Sequence, residues 1–328
     1  MEIGNRKFGI KNQESVNKDM TENTEKKKGE NFGHVSVLLQ EVIEGLSVKN
    51  GETYLDMTIN GGGHASAICP LLGSKGVLIG FDQDKNALAH SEKRLSGCKA
   101  KIVLNESNFR HAKKVLAEKG IAKADKILFD LGLSSNELET SGRGFSFKKD
   151  EPLLMTFAAD PSQVTFTAKD IVNGWEEENI RTILAGYGDE RFAKSIARKI
   201  VEVRGMKSIE TTTELVEVIR AAVPGWYRNG KINCATKTFQ ALRMAVNDEL
   251  ESLKDGLRDA WEILNSGGRI AVISFHSLED RIVKRYFKEI SQEGEGVLLT
   301  KKPIVPGEEE MKNNPRSRSA KLRIIQKK

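Results

Sequence analysis

Two acids and a glycine-rich turn carry the chemistry this sequence offers. Asn60-Gly61-Gly62-Gly63-His64 follows the short apolar run Thr53 to Ile59 and precedes helix-compatible residues to about Leu72. Glycine lets backbone approach a ligand without a Cβ in the way, and the first turn of the next helix offers free N–H groups. Asp82 ends a second apolar run, Gly76 to Phe81, and Asp130 ends a fourth, Lys126 to Phe129. The third, Lys101 to Leu104, runs into Asn105-Glu106-Ser107-Asn108-Phe109.

Four apolar runs alternating with helical patterns predict a parallel sheet with helices on both faces. Ligands in such sheets sit beyond the carboxyl ends of the strands, which is where Asn60 to His64, Asp82, Phe109 and Asp130 to Ser135 fall. The alternation stops between about Gly142 and Lys237, where helices are expected without strands. A long helix from Thr238 to Leu264, a Gly267-Gly268 turn and a fifth strand, Arg269 to Phe275, follow. His276-Ser277-Leu278-Glu279-Asp280 sits at its end. Val297–Thr300 and Lys321–Ile325 are expected as a hairpin-like edge. The predicted organisation is a leader (1–32), a first sheet segment (33–141), an inserted helical domain (142–237) and a second sheet segment with a basic tail (238–328).

The 328 residues are 38% hydrophobic and 30% charged, with a net charge of +6 and a pI near 9.0. The last 28 residues hold nine Lys/Arg against three Glu, an excess equal to the net charge of the whole chain. That suits a polyanionic partner. Residues 1 to about 30 are polar with nearly cancelling charges, as in a disordered leader; a basic arm on RNA is the alternative. Cys69, Cys98 and Cys234 are far apart, with no Cys-x-x-Cys pair, so neither a zinc site nor a disulfide framework is expected and a reducing cytoplasm fits. No apolar stretch reaches membrane-spanning length.

Three ligands compete for the glycine turn. A dinucleotide site needs Gly-x-Gly-x-x-Gly, and Ser66 stands at the third glycine. The Gly-x-x-x-x-Gly-Lys-Ser/Thr of a triphosphate site is absent. S-adenosylmethionine, which has no phosphate, needs backbone for its amino-acid end, an acid for its ribose hydroxyls (Asp82) and an aromatic against adenine (Phe109). Asp130 to Ser135 then faces the methyl group. The competing readings are a helix cap for Asp82, shared with Asp84, plain core for Phe109, a solvated first-turn residue for His64 and an ordinary turn residue for Asp130.

At this point the chain resembles the bacterial small-subunit ribosomal RNA cytosine-N4 methyltransferases, over about residues 33 to 328. The resemblance rests on ordered blocks: Gly33 to Leu39, Gly62-Gly63-His64, Asp130 to Ser135, Arg143-Gly144-Phe145-Ser146-Phe147, Gly186 to Ala193, Thr238 to Arg243, Ser274 to Arg281 and Asn314 to Ser319. It implies an α/β fold, a Rossmann-like class I methyltransferase sheet with an inserted all-helical substrate domain. It implies S-adenosylmethionine as donor, held by Gly62, Gly63, His64, Asp82, Phe109, Asp130 and Glu137. The implied acceptor is the exocyclic N4 of a cytidine in the decoding region of 16S ribosomal RNA in the small subunit. No metal or membrane is implied.

Asp130 is the catalytic candidate, its carboxylate or a neighbouring backbone carbonyl accepting the N4 hydrogens; His276 and Ser277 rank second, against a capped turn. Arg143, Arg191, Arg198, Arg243, Arg316 and Arg318 are candidate phosphate contacts. Asn60 stands where the family has glycine, and Glu137 where it has Gln or His. Pro152-Leu153-Leu154-Met155-Thr156 lacks the acid and arginine of the family's Pro-Leu-Asp-Met-Arg. A non-catalytic RNA-binding protein on the same fold and a DNA amino-methyltransferase are the rival readings.

Overall fold

The computed structural model describes residues 36–133, 141–160, 162 and 164–328. The expected leader, Gly33 to Val35, Ser134, Ser135 and Glu137 lie outside the described residues.

Helix α1 (Leu39–Leu46) leads into β1 (Thr53–Asp56), α2 (Gly63–Leu72), β2 (Val77–Asp82), α3 (Lys85–Arg94) and β3 (Lys101–Glu106). A 3-10 turn at Phe109–His111, α4 (Ala112–Glu118) and β4 (Ala124–Asp130) complete the expected alternation. The helical stretch holds α5 (Ala168–Gly174), α6 (Glu177–Gly188), α7 (Ala193–Arg204), α8 (Thr212–Ala222), α9 (Gly225–Arg228) and α10 (Thr236–Val246). Then come α11 (Glu249–Ile263), β5 (Leu264–Ser274), α12 (Ser277–Gln292), β6 (Gly296–Leu298), α13 (Glu308–Asn313) and β7 (Lys321–Lys327).

The seven strands are ordered β3-β2-β1-β4-β5-β7-β6. β1 to β5 are parallel, while β7 runs antiparallel between β5 and β6. The last two strands do pair at the edge as expected, but β7 inserts inside β6 and the connection carries α13. The strand order reverses at β1, between β2 and β4, which makes the crevice above those three ends the natural ligand site.

The two faces of the sheet are packed separately. One core joins Leu55, Phe81 and Phe129 to Leu116, Leu257 and Phe287; the other joins Tyr54, Leu78 and Leu128 to Val42, Ile68 and Leu322. β1 therefore alternates faces along its length, as a strand covered on both sides must. The helical stretch has a third core, from Phe145 and Ile171 through Ile196 and Leu215 to Phe239 and Leu242. That core runs into α10, past the expected boundary at residue 237.

Two expectations need correction. The single helix from Thr238 to Leu264 is broken at Asn247–Asp248, where Asp248 takes φ 47°. Asn and Asp accept left-handed backbone better than other residues. The Asn247 side chain fixes the break, donating to the Met155 and Arg243 carbonyls and accepting from the Phe157 amide. Secondly, Gly267-Gly268 is not the helix stop, since α11 ends at Ile263. Gly267, at φ 77°, sits in a bulge within β5 where the pairing with β4 jumps from Ala124–Leu264 to Lys126–Arg269.

Cys69 and Cys98 form a disulfide, with Cα atoms 5.7 Å apart, contrary to the absence expected from their spacing. They are 29 residues apart, and only the packing of α2 beside the segment after α3 brings them together. Cys234 is free and buried.

Candidate active site

A cleft opens at the carboxyl ends of β1, β2 and β4, where open parallel sheets of this order take their ligands. Asn60, Asp82, Phe109 and Asp130 line it from the sheet side. Phe157, Asn247, Glu249 and Glu279 close it from beyond the sheet. The break between α10 and α11 is what lets that outer wall form: a continuous helix could not present Asn247 and Glu249 as the two ends of a bend.

The glycine turn is held by its own backbone and by α3. Asn60 takes φ 50° and Gly62 φ 71°. The Asn60 amide donates to Asp82 Oδ2 at 2.9 Å, and its carbonyl accepts from the Ser91 hydroxyl at 2.7 Å. Asn thus supplies the left-handed turn in place of glycine. A Cβ on Gly62 would meet Ser91 at 3.3 Å, and one on Gly63 would meet the Ser36 hydroxyl at 2.1 Å. These two glycines are spaces for protein to pack in, and neither they nor His64 line the cleft; Asn60 does.

Asp82 is not the helix cap. Asp84 caps α3, accepting the Asn86 amide at 2.8 Å. Asp82 sits half-buried in the cleft wall, accepting the Asn60 and Asp84 amides. Phe109 satisfies both readings offered for it: its ring meets Phe129 edge-on at 5.5 Å and packs on Gly256, while it also lines the cleft.

Beneath the cleft lies a column of buried ionisable groups. Asp130 Oδ1 is buried and has no hydrogen-bond partner within the described protein. Burial pushes its carboxyl up to about 7, with the Gly132 amide opposing and Glu279 adding to the rise. Behind it, His64 Nδ1 lies 3.5 Å from Asp130 Oδ2, and His64 Nε2 lies 3.0 Å from the Val37 carbonyl. Burial lowers the His64 imidazole below its ordinary value, against the pull of Asp56. Burial also raises Asp56 to about 6, although Tyr54 donates its hydroxyl to it at 2.8 Å. Nothing in the spacing of Tyr54 and Asp56 marked them, because both read as ordinary strand residues.

The arginines divide. Arg143 is buried, contrary to its expected role as a phosphate contact. Its guanidinium pairs with Asp84 at 2.6 Å, donates to the Phe157 and Ala158 carbonyls, and lies 5.5 Å from the Phe145 ring centre. Arg243 grips Glu249 through two hydrogen bonds of 2.7 and 2.8 Å, so it shapes the cleft wall. Arg316 and Arg318 lie on a 3-10 turn, Pro315–Ser319, with Arg318 exposed.

His276 is a cap, as its competing reading had it. Its Nδ1 accepts the Glu279 amide, and Glu279 Oε2 accepts the Phe275 and His276 amides. His276 Nε2 lies 3.0 Å from Glu279 Oε1 but makes no hydrogen bond, being out of line for ring N–H donation. Glu249, His276 and Glu279 bring ligand atoms within 4.8 Å of one another, yet Arg243 already holds the first and the capping box the other two. Sequence reading missed Asn247 and Glu249, which lay inside a helix it drew as continuous.

The cleft suits S-adenosylmethionine: Asp82 and Phe109 flank one half, and Asp130 lines the other. The family description "MraW methylase family" matches residues 31–328. A protein named ribosomal RNA small subunit methyltransferase H from Clostridioides difficile (strain 630) is 45% identical over 90% of this chain and 99% of its own. One of the same name from Brevibacillus brevis is 42% identical over 90% and 98%. Among solved structures, a putative rRNA-methylase from Clostridium thermocellum aligns over 90% of this chain and all of its own, at 14% identity and a TM-score of 0.46. The chain belongs to the MraW methylase family, and it is a Rossmann-like, S-adenosylmethionine-dependent methyltransferase.

Proposed function

We propose that the protein methylates 16S ribosomal RNA of the small subunit, at the exocyclic N4 of a cytidine in the decoding region. The names of its relatives support the ribosomal substrate. The observation that carries the atom assignment is Asp130 Oδ1, a buried acceptor without a donor at the carboxyl end of β4. Leaving such an atom unpaired costs about 1–3 kcal/mol. Asp130 as a residue lines the cleft, so an exocyclic amine seated there is placed beside this acid.

Bound S-adenosylmethionine supplies an electrophilic methyl group on a positively charged sulfur. Asp82 and Phe109 hold it from the ends of β2 and β3, and Gly62, Gly63 and His64 shape the turn beside it. The cytosine amine is a poor nucleophile because its lone pair is delocalised into the ring. Asp130 accepting an N4 hydrogen favours rehybridisation, and fixed placement in a cleft closed by Phe157 and Asn247 supplies orientation.

The base must leave its stack to enter. The helical stretch between Gly142 and Lys237 grips RNA around it. Exposed Trp226 supports that role: Arg191 stacks over its ring at 5.4 Å and over Phe192 at 5.8 Å, a basic and aromatic pairing suited to unpaired bases. Arg316 and Arg318 contact phosphate on the tail. Under-methylated small subunits incubated with methyl-labelled S-adenosylmethionine, followed by nucleoside separation, test the assignment. Label is expected in N4-methylcytidine of 16S ribosomal RNA. Label on DNA, on another nucleoside, or nowhere despite donor binding, refutes it.

A further inference from the structure

The glycine turn is held from two sides, and the second hold comes from the far end of the chain. On one side, Asp82 and Ser91 fix Asn60. On the other, the turn leans on the entry to α1. A Cβ on Gly63 would stand 2.1 Å from the Ser36 hydroxyl, and His64 Nε2 lies 3.0 Å from the Val37 carbonyl. A carbonyl only accepts, so the imidazole donates there.

The Val37 carbonyl and the Leu38 amide belong to one peptide group. The Leu38 amide donates to Glu310 Oε1 at 2.8 Å, across 272 residues of chain. A peptide group is planar and trans, so its carbonyl and its N–H point opposite ways. Glu310 on α13 and His64 at the start of α2 therefore hold one rigid plate by its two edges. Hydrogen bonds in series through such a group polarise one another. Leu38 needs this hold: it is fully buried at φ 53°, a left-handed conformation unusual for a bulky side chain. Glu310 is half-buried and does not line the cleft, so its effect on a ligand there passes through this peptide.

We infer that Glu310 is a positioning residue for the methyl donor: from the C-terminal helix α13 it fixes the Val37–Leu38 peptide, through which His64 and the glycine turn keep the shape that S-adenosylmethionine binds. The inference rests on the donor placement proposed above. It also gives α13 a purpose, since that helix leads directly into the turn that carries Arg316 and Arg318.

Three variants of one helix test it. Glu310→Ala removes charge and acceptor together. Glu310→Gln removes the charge and keeps an acceptor, which matters because Glu310 also acts on His64 through its charge. Glu309→Ala removes an equal charge from an exposed position on α13. Calorimetry is expected to show the S-adenosylmethionine dissociation constant raised about fivefold or more in Glu310→Ala, and unchanged within about twofold in the other two. Amide hydrogen exchange of the donor-free protein is expected to quicken at Leu38 and at residues 61–66 in Glu310→Ala alone. Unchanged exchange at the turn overturns the inference. Faster exchange with donor affinity unchanged also overturns it, making Glu310 a tie for the tail only, as does a Gln variant that binds donor as weakly as the Ala variant. In each of these cases label still reaching cytidine in the unaltered protein leaves the methylation reading standing. Conversely, the expected exchange and affinity pattern with no label on cytidine upholds Glu310 and fails that reading.

Discussion

Replacing Arg143 by Met separates a phosphate contact from a buried strut. The guanidinium is 7% exposed and its partner carboxylate on Asp84 only 2%. Removing one member of such a pair leaves an uncompensated buried charge and costs about 3–5 kcal/mol. Two further charge-assisted hydrogen bonds, to the Phe157 and Ala158 carbonyls at 2.7 and 3.0 Å, disappear with it. Asp84 keeps the Asn86 amide, which holds the expected loss in the lower half of that range, about 3–4 kcal/mol. An exposed arginine changed to Met shifts stability by no more than about 0.5 kcal/mol. Urea unfolding of the donor-free protein measures the difference. In the Asp84→Asn/Arg143→Met double variant the charge left behind is gone while the cap remains, so part of the loss is expected back. The salt dependence of RNA binding is expected to be unchanged in Arg143→Met, since a lost phosphate contact lowers that slope by about one. A loss of stability under about 1 kcal/mol together with a lower salt slope would refute the strut.

Asp82→Ala is expected to weaken S-adenosylmethionine binding at least tenfold, about 1.4 kcal/mol, and an unchanged calorimetric dissociation constant sinks that assignment. Asp130 and Asp56 have folded values raised to about 7 and about 6 from 3.8, so the folded state binds their protons more tightly than the unfolded chain. Stability of the donor-free protein should therefore be highest below about pH 4 as far as these groups are concerned, and be lost as pH rises through 6 and 7. Urea midpoints between pH 5 and 8 show this as a falling slope that shallows in Asp130→Asn; an equal slope in the variant removes Asp130 from the account. Thiol counting in denaturant without reductant should find one reactive sulfur, Cys234, and three after reduction. Three before reduction would show Cys69 and Cys98 unpaired.

The sheet was legible because each strand announced itself by composition and stopped at a residue with chemistry. Tyr54 to Asp56, Leu78 to Asp82 and Ile127 to Asp130 are apolar on both faces and end in an acid, as buried parallel strands with a ligand at their carboxyl ends do. The wall opposite was not legible. Asn247 and Asp248 sit in a pattern with helical spacing on both sides, and only the three hydrogen bonds of the Asn247 side chain convert that pattern into a bend. Arg143 misled for a related reason. An arginine among glycines and aromatics looks like a surface contact until the fold shows Asp84 beneath it, 59 residues away. Local spacing carries strands and caps, whereas partnerships across the chain carry the cleft wall.

The same distinction explains how Pro152 to Thr156 can depart from its family in two side chains. What the fold draws from this segment is its backbone. The Met155 amide donates to the Arg143 carbonyl at 2.7 Å, and the Met155 carbonyl accepts from Asn247 at 2.7 Å. The Leu153 and Leu154 carbonyls accept from Lys169 and Ala168 at the start of α5. Met155 itself takes φ 55°, a strained position for its residue type, which these bonds on both sides enforce. The segment thus ties Arg143, the α10–α11 bend and helix α5 to one another through its own main chain. Leu154 is half-buried, while Thr156 is buried and accepts the Ala158 amide through its hydroxyl, a local turn bond that settles the approach to Phe157 at the cleft. The wall is therefore held without an acid at 154 or an arginine at 156.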